Sequence, residues 1–254
     1  MSNKFKTVIW FLKNPKYISQ IFQVLKRKKN AAFENTSSEA TSWCTDKCIP
    51  MEEALVKVLG EGIYESITTL FPDEIKTARE VAESTPVKMG GEGAISFIYH
   101  LVRKSPVYNL LETGVAYGWS SLAILLAIKD RQNAFLISND MPYINMGNDD
   151  FVGCVVPDHL KSKWELQRLP DVKGIPLGLK KFNQSIDFCH YDSDKSYTGR
   201  QWASPILWKA LSTGGLFISD DINDNIAFKQ FCESVNRNPI IIKHMDKYVG
   251  VIIK

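Results

Sequence analysis

The sequence lacks the long apolar segments and the dense cysteines by which membrane-spanning and secreted proteins are recognised. No apolar run approaches the roughly 20 residues that cross a bilayer, and the longest near the N-terminus covers only residues 8–12. That run is shorter than a signal-peptide core of about 7–15 residues. The five cysteines are scattered and odd in number, unlike a disulfide framework. We therefore expect a cytoplasmic protein with reduced thiols.

The motifs of two enzyme classes are missing as well. Cys44 and Cys48 have no second Cys or His pair near them, which disfavours a zinc site. The four histidines are not accompanied by the Gly-x-Ser-x-Gly turn of a serine hydrolase.

The net charge of +3 conceals an asymmetry between the two ends of the chain. Residues 1–30 contain eight Lys or Arg and no acid, and the remaining chain holds 23 basic and 28 acidic residues. A mildly acidic body with a basic arm argues against a protein that wraps nucleic acid. Within the arm, apolar residues recur near helical spacing and are interrupted at Asn14-Pro15. This pattern predicts two short helices before a basic cluster at 26–29.

Three interpretations of this arm stay open at this point. It packs on the domain or on a second copy of the chain in a homo-oligomer, it rests on the inner face of an anionic membrane, or it contacts nucleic acid. Residues 30–42, rich in Asn, Ala, Thr, Ser and Glu, are typical of a linker. We therefore predict a helical, basic amphipathic extension with a linker at 1–50 and a single domain at 51–254.

Helical patterns over residues 51–59, 72–84 and 94–104 precede a regular alternation of short strands and helices. The predicted strands cover residues 107–112, 134–138, 186–191, 216–219, 240–242 and 248–253. The predicted helices between them cover residues 119–129, 201–211 and 225–236. This order predicts an α/β fold with a Rossmann-like, doubly wound parallel sheet. The short polar turn between the last two strands predicts an antiparallel C-terminal hairpin.

A glycine-containing turn after the first of these strands predicts a cofactor site. Glu112 ends the strand, Gly114 and Gly118 occupy the turn, and Ser120 lies in the first turn of the helix. Glycine lets a ligand approach the backbone because no Cβ intervenes. The spacing differs from the G-x-G-x-x-G of dinucleotide sites. Asp140, just after the next strand, is placed to bind the ribose of an adenosine cofactor. Helix packing and turn capping are the structural alternatives.

Three further carboxylates follow strands nearer the C-terminus. Asp192 ends one strand, and Asp220 and Asp221 end the next. Neighbouring strands lie about 4.8 Å apart, so we expect these carboxylates to converge at one edge of the sheet. Their mutual repulsion and their oxygen-only chemistry favour a hard cation such as Mg²⁺ or Ca²⁺. Capping of a helix by a single Asp is the alternative.

Together these segments resemble the class I S-adenosylmethionine-dependent O-methyltransferases. The similarity is greatest to the cation-dependent group that includes catechol O-methyltransferase and macrocin-type sugar O-methyltransferases. It runs from about Gly90 to the C-terminus and leaves residues 1–50 uncovered. The sugar enzymes read Asp-Gly-x-His-x-Tyr and then a double Asp, where this chain reads Asp192-Ser-Asp-Lys195-Ser-Tyr and then Asp220-Asp221. Lys195 replaces the histidine base, and catechol O-methyltransferase has a lysine base at the same offset.

The resemblance implies S-adenosylmethionine as methyl donor and a divalent cation, Mg²⁺ by preference, held by Asp192, Asp220 and Asp221. It implies a small-molecule or glycan acceptor whose hydroxyl, with a vicinal oxygen, binds the cation and loses its proton to Lys195. A free lysine has a pKa of about 10.4. The base role therefore requires that desolvation and the cation lower the pKa of Lys195.

Two other functions remain as alternatives. A nucleic-acid methyltransferase would grip phosphate with the basic arm, but base-amino methylases carry Asn-Pro-Pro-aromatic where this chain has Asp192-Ser-Asp-Lys195. A non-catalytic scaffold would bind the cofactor alone, which leaves the carboxylates and Lys195 without a purpose. A nicotinamide oxidoreductase is disfavoured by the glycine spacing and the terminal hairpin.

Overall fold

An eight-stranded sheet organises the chain in this computed structural model, which describes residues 3–17, 30–141 and 146–254. The strands are β1 (Cys48–Ile49), β2 (Asn109–Thr113), β3 (Phe135–Asn139), β4 (Trp164–Gln167), β5 (Ile186–Tyr191), β6 (Leu211–Ser219), β7 (Ile240–His244) and β8 (Lys247–Ile253). They lie in the order β1-β7-β8-β6-β5-β2-β3-β4. Only β8 is antiparallel to its neighbours in this sheet. The predicted Rossmann-like α/β fold with an antiparallel C-terminal hairpin is confirmed.

Helices cover both faces of the sheet. In chain order they are α1 (Asn3–Lys13), α2 (Ala31–Glu34), α3 (Ser37–Lys47), α4 (Met51–Leu59), α5 (Ile67–Leu70), α6 (Pro72–Ser84), α7 (Ile95–Lys104), α8 (Trp119–Ile128), α9 (Asp171–Lys181), α10 (Tyr197–Ala210) and α11 (Ala227–Ser234). None of these described helices is long and apolar enough to cross a membrane.

Two apolar clusters hold these layers together. Successive residues of a strand point to opposite faces, so Leu110 of β2 belongs to one cluster and Leu111 to the other. The first cluster is formed with α7 and α8, and the second with α9, α10 and α11. Helix α8 is apolar on nearly all sides because it lies buried between the sheet and α7.

The prediction of a linker over residues 30–42 is wrong. This region is mostly helical, in α2 and the first half of α3, and Ala40 and Cys44 of α3 are fully buried. So few buried positions give no apolar periodicity, which explains why the helix is hidden in the sequence. The division into 1–50 and 51–254 stays a prediction, although β1 already pairs with β7.

The basic arm is described only in part. The first predicted helix is present as α1, and a short 3₁₀ turn follows at Pro15–Tyr17. Tyr17 is buried, and its ring stacks on that of Trp10. The second predicted helix starts at Pro15, where the structure has this 3₁₀ turn, and its remainder beyond Tyr17 lies outside the described residues, as does the basic cluster at 26–29.

Candidate functional site

The order of the strands reverses at β2, and this reversal locates the candidate site. The chain runs from β2 outward through β3 to β4, and then places β5 on the other side of β2. In open α/β sheets, ligands bind beyond the carboxyl ends of the strands at such a reversal. The five sequence-predicted acids all lie at or just after the carboxyl ends of these strands and of β6: Glu112, Asp140, Asp192, Asp220 and Asp221.

Glu112 belongs to the interior of the protein. Its carboxylate is fully buried, and Oε2 accepts hydrogen bonds from the hydroxyls of Ser121 at 2.5 Å and Ser138 at 2.6 Å. Oε1 lies 3.4 Å from Nδ1 of His190. Ser138 and His190 stand opposite Glu112 in β3 and β5, so the strand register places all three on one face. These partners occupy the carboxylate, and its predicted contact with the cofactor stays a prediction.

His190 connects Glu112 to the neighbouring carboxylate of Asp220. Its Nε2 lies 3.8 Å from Oδ2 of Asp220, which is beyond hydrogen-bond distance. Burial lowers the pKa of His190, but the carboxylates of Asp220 and Glu112 outweigh burial and raise the pKa to about 10. The two acids therefore favour the protonated form of the histidine that lies between them.

The turn after β2 requires glycine for contacts within the protein. Gly114 and Gly118 have positive φ values of 80° and 97°. A Cβ at Gly114 would overlap the carbonyl oxygen of Asp192, and one at Gly118 would lie 2.9 Å from Cα of Gly153. Gly114 thus brings the turn directly against the loop that follows β5. The cofactor contacts of these glycines, and of the half-buried Ser120 in α8, stay predictions.

Asp140 closes the glycine turn from the end of β3. Its Oδ2 accepts hydrogen bonds from the backbone amides of Val115 at 2.7 Å and Ala116 at 3.0 Å. Its Oδ1 pairs with Arg168 at 2.8 Å. The hydroxyl of Tyr17 donates to the carbonyl of Arg168 at 3.1 Å, so the described start of the arm packs against this part of the domain. A ribose hydroxyl at Asp140 would share the carboxylate with these donors.

The remaining predicted residues meet beyond β5 and β6. Nζ of Lys195 lies 2.9 Å from Oδ1 of Asp192 and also contacts Oδ2 of Asp221. Lys247, at the start of β8, places its Nζ 3.0 Å from Oδ1 of Asp221. Two lysines therefore share one carboxylate at this edge of the sheet.

These ion pairs set the charges of the cluster. Burial and the charge of Asp220 raise the pKa of Asp192 to about 7. Burial lowers the pKa of Lys195, but Asp192 and Asp221 outweigh it, so the pKa of Lys195 is raised. Burial raises the pKa of Asp221, but the two lysines outweigh it and the net shift is downward. Lys195 is therefore an ammonium ion in this arrangement, the opposite of what a general base requires.

Only part of the predicted metal site is free to bind a cation. In residues 3–17, 30–141 and 146–254, no group of three or more His, Cys, Asp or Glu is arranged to hold a metal ion. Asp221 directs its carboxylate at Lys195 and Lys247. The buried Oδ1 atom of Asp220 has no hydrogen-bond partner among the described residues, whereas Oδ1 of Asp192 lies 2.9 Å from the ammonium nitrogen of Lys195. Oδ1 of Asp220 is therefore available to a hard cation, and Oδ1 of Asp192 would have to exchange Lys195 for it.

A cavity of about 450 Å³ lies beside the glycine turn, between α6 and the loop over residues 85–93. Tyr117 lines it, and the Tyr117 hydroxyl donates to the carbonyl of Val87 at 2.6 Å. The same loop reaches the acidic cluster, because a Cβ at Gly93 would lie 4.0 Å from Oδ2 of Asp220. The cavity has the size of a small-molecule site.

Arg168 and Lys247 are site residues that carry no sequence motif. Arg168 follows β4, a strand too short to show a pattern in the sequence. Lys247 begins the second strand of the predicted hairpin. Because β8 runs antiparallel to β6, the start of β8 lies beside the end of β6. The hairpin prediction therefore contained a signal that a polar residue at this position reaches Asp221.

Comparison with known proteins finds similarity over the segment that holds the sequence-predicted site residues. A family of methyltransferase domains, Methyltransf_24, matches residues 111–222, just under half of the chain. Tapetum-specific methyltransferase 1 of Arabidopsis thaliana is 27% identical over 183 residues, which are 69% of this chain and 73% of that protein.

Solved structures share the fold at low sequence identity. A protein of Staphylococcus aureus assigned as a caffeoyl-CoA O-methyltransferase has a TM-score of 0.57 at 14% identity, covering 74% of this chain and 96% of its own. An O-methyltransferase from Bacillus cereus in complex with SAH has a TM-score of 0.51 at 14% identity, covering 80% of this chain and 96% of its own. TomG from Streptomyces achromogenes, with SAM bound, gives 0.52 at 12% identity, covering 85% and 96%.

Proposed function

We propose that this chain, whose residues 111–222 match a family of methyltransferase domains, transfers a methyl group from S-adenosylmethionine to a hydroxyl of a small molecule or glycan. One observation carries the proposal. The glycine turn and Asp140 meet the cluster of Asp192, Lys195, Asp220 and Asp221 at adjacent strand ends, with Gly114 packed against the backbone of Asp192. Solved proteins of the same fold bind SAM or SAH.

The donor half of the site is assigned to the turn and β3. Asp140 would accept the ribose hydroxyls, and the turn from Gly114 to Gly118 would line the methionine portion of the donor. Asp140 is held in place by two backbone amides and by Arg168, so its position does not depend on the ligand. A carboxylate that is already in position binds its ligand without the free-energy cost of ordering the side chain.

The acceptor half is assigned to the acidic cluster. The methyl carbon would leave the sulfonium sulfur of the donor and bond to the acceptor oxygen, whose proton goes to a base. Lys195 can accept that proton only when its own amine is neutral. The base role therefore requires that the pairing of Lys195 with Asp192 and Asp221 be weakened. In the paired state, Lys195 instead supplies positive charge beside the acceptor oxygen.

A divalent cation remains part of the proposal. Asp220 has the right chemistry, because it has a buried carboxylate oxygen without a hydrogen-bond partner among the described residues, and Asp192 would join it by exchanging Lys195 for the ion. Asp221 would join them only if Lys195 and Lys247 release it. When bound, such an ion lowers the pKa of a coordinated hydroxyl and orients it.

Calorimetric titration with S-adenosylmethionine and with NAD, each with and without Mg²⁺, tests the donor. A screen of diols, sugars and catechols for methyl transfer then tests the acceptor. Binding of NAD but not of S-adenosylmethionine would refute the proposal. Asp220→Ala should abolish turnover while donor binding persists. Asp246→Ala, at an exposed position in the nearby hairpin turn, is the matched control. Unchanged turnover of Asp220→Ala in EDTA would remove the cation and leave the methyl transfer.

A further inference from the structure

The start of α10 receives a carboxylate from a distant part of the chain. The first amides of a helix have no partner within the helix. In α10, the amides of Tyr197 and Thr198 donate to the carboxylate of Glu34 at 2.8 Å and 3.2 Å. The amides of Gly199 and Arg200 donate to the side chain and the carbonyl of Ser196. All four amides are satisfied, and two of them depend on Glu34.

Other residues of the same short segment strengthen this contact. The ring of Phe33 stacks on that of Tyr197, with centroids 4.8 Å apart and planes 15° from parallel. Asn30 donates from its side-chain amide to the hydroxyl of Thr198 at 2.9 Å. The hydroxyl of Thr36 accepts from the amide of Ile226 at 3.1 Å. We call residues 30–36 the N-terminal clamp.

The clamp contacts the same two elements that hold the backbone of Lys195. The carbonyl of Lys195 accepts from the side chain of Asn225 at 2.9 Å and from Nε of Arg200 at 3.4 Å. Asn225 directly precedes Ile226, which Thr36 holds, and Arg200 lies in the first turn of the helix that Glu34 caps. The clamp therefore fixes both neighbours of the residue that sits between Asp192 and Asp221.

We propose that the N-terminal clamp positions the catalytic loop over residues 192–196, and that Glu34 is a positioning residue for Lys195. A negative charge at a helix N-terminus is favourable, and here that charge comes from the extension rather than from the domain. The proposal rests on the proposed function for its effect on turnover. Its structural part, the ordering of the loop, does not.

Glu34→Gln tests the proposal because it keeps the size of the side chain and removes its charge. Glu39→Gln is the matched control. Glu39 is exposed, lies on the next helix of the same extension, and pairs with Lys229 at 2.9 Å. Hydrogen exchange of the amides of residues 193–200 is measured first. Loss of a cap has effects that correspond to about 2- to 30-fold in an equilibrium constant. We expect exchange faster by this factor in Glu34→Gln and unchanged in Glu39→Gln.

Turnover then separates positioning from general stability. In Glu34→Gln we expect kcat to fall by a similar factor with the Kd of S-adenosylmethionine unchanged, and Glu34→Asp to restore part of the loss. Wild-type exchange at residues 193–200 in Glu34→Gln would overturn the clamp. Equal losses in donor affinity and kcat would also overturn it, because they indicate a global effect. If wild-type protein methylates no acceptor, the proposed function fails while the exchange result still decides the clamp.

Discussion

The two halves of the candidate site satisfy their carboxylates in opposite ways. In the proposed cofactor half, which comprises the donor half and the neighbouring Glu112, the carboxylates of Glu112 and Asp140 are almost fully buried, and each has several donors from the protein. In the proposed acceptor half, Asp220 keeps an oxygen without a hydrogen-bond partner among the described residues, and Asp192 and Asp221 depend on lysines. Buried polar atoms in native proteins are nearly always paired. The difference indicates that folding completes the cofactor half, in the sense that contacts within the protein satisfy its carboxylates. The carboxylates of the acceptor half are satisfied in full only by what binds there.

Glu112→Gln should give the largest loss of stability. The one oxygen of Gln can still accept from Ser121 and Ser138, as Oε2 of Glu112 does, but its NH₂ group then faces Nδ1 of His190 and cannot accept from it. The buried His190 also loses its charged partner. Removing one member of a buried ion pair costs about 3–5 kcal/mol. The free energy of unfolding in urea measures the loss.

Glu165→Gln is the control for this change. Glu165 pairs with Lys181, whose side chain is 44% exposed, so this variant should lose no more than about 1 kcal/mol. If the two variants lose the same free energy of unfolding, the buried contacts of Glu112 stabilise the protein no more than a surface ion pair does.

Asp171 joins the two halves and should make stability depend on pH. Its carboxylate accepts from Asn139 at 2.9 Å and from Ser193 at 2.6 Å. Burial raises its pKa from 3.8 to about 6. At this group the folded protein therefore binds more protons than the unfolded chain between these pH values, so the contribution of Asp171 to stability is full below the lower value and is lost as pH rises towards the upper one.

Asp171→Asn should remove the part of the pH dependence that Asp171 contributes. The slope of the free energy of unfolding against pH should then change by the equivalent of up to about one proton per molecule. Urea unfolding of both proteins across that pH window measures it. Asp150→Asn, at an exposed position, should keep the wild-type profile. A parallel profile for wild type and Asp171→Asn would show that Asp171 does not link the halves through its charge.

Much of the fold could be predicted because its strands are buried on both faces and read as apolar runs. Helix α9 could not, because Gly174, Pro176 and Gly178 interrupt its helical pattern. The structure explains the first of these, since a Cβ at Gly174 would overlap the side chain of Asn139. Tertiary packing thus demands residues that local propensity disfavours.

The candidate site shows the same division. The positions of its acids at strand ends follow from the strand pattern. Their partners do not, because Lys247 reaches Asp221 only through the pairing of β8 with β6, and Glu34 reaches Tyr197 across 163 residues. Such contacts depend on three-dimensional proximity that no local spacing records.

Gly114→Ala should disturb the boundary between the halves by a smaller amount. Its Cβ would overlap the carbonyl oxygen of Asp192. Gly214 has nearly the same φ, 79° against 80°, but has open space around a Cβ. Gly214→Ala therefore measures the cost of backbone strain alone. We expect Gly114→Ala to be less stable than Gly214→Ala by about 1–3 kcal/mol, the usual cost of overpacking. Equal losses would mean that the turn and the loop after β5 move apart freely.

Lys247→Gln should have the smallest effect on stability and tests whether the acceptor half is completed by its lysines. The side chain of Lys247 is 55% exposed, so solvent screens its pairing with Asp221. We expect a change in the free energy of unfolding of about 0–1 kcal/mol that disappears in high salt. Because this variant also frees one oxygen of Asp221, it should bind Mn²⁺ more tightly than wild type if a cation belongs in the cluster. A loss of stability as large as that of Glu112→Gln would show instead that folding completes both halves, and the contrast between them would fail.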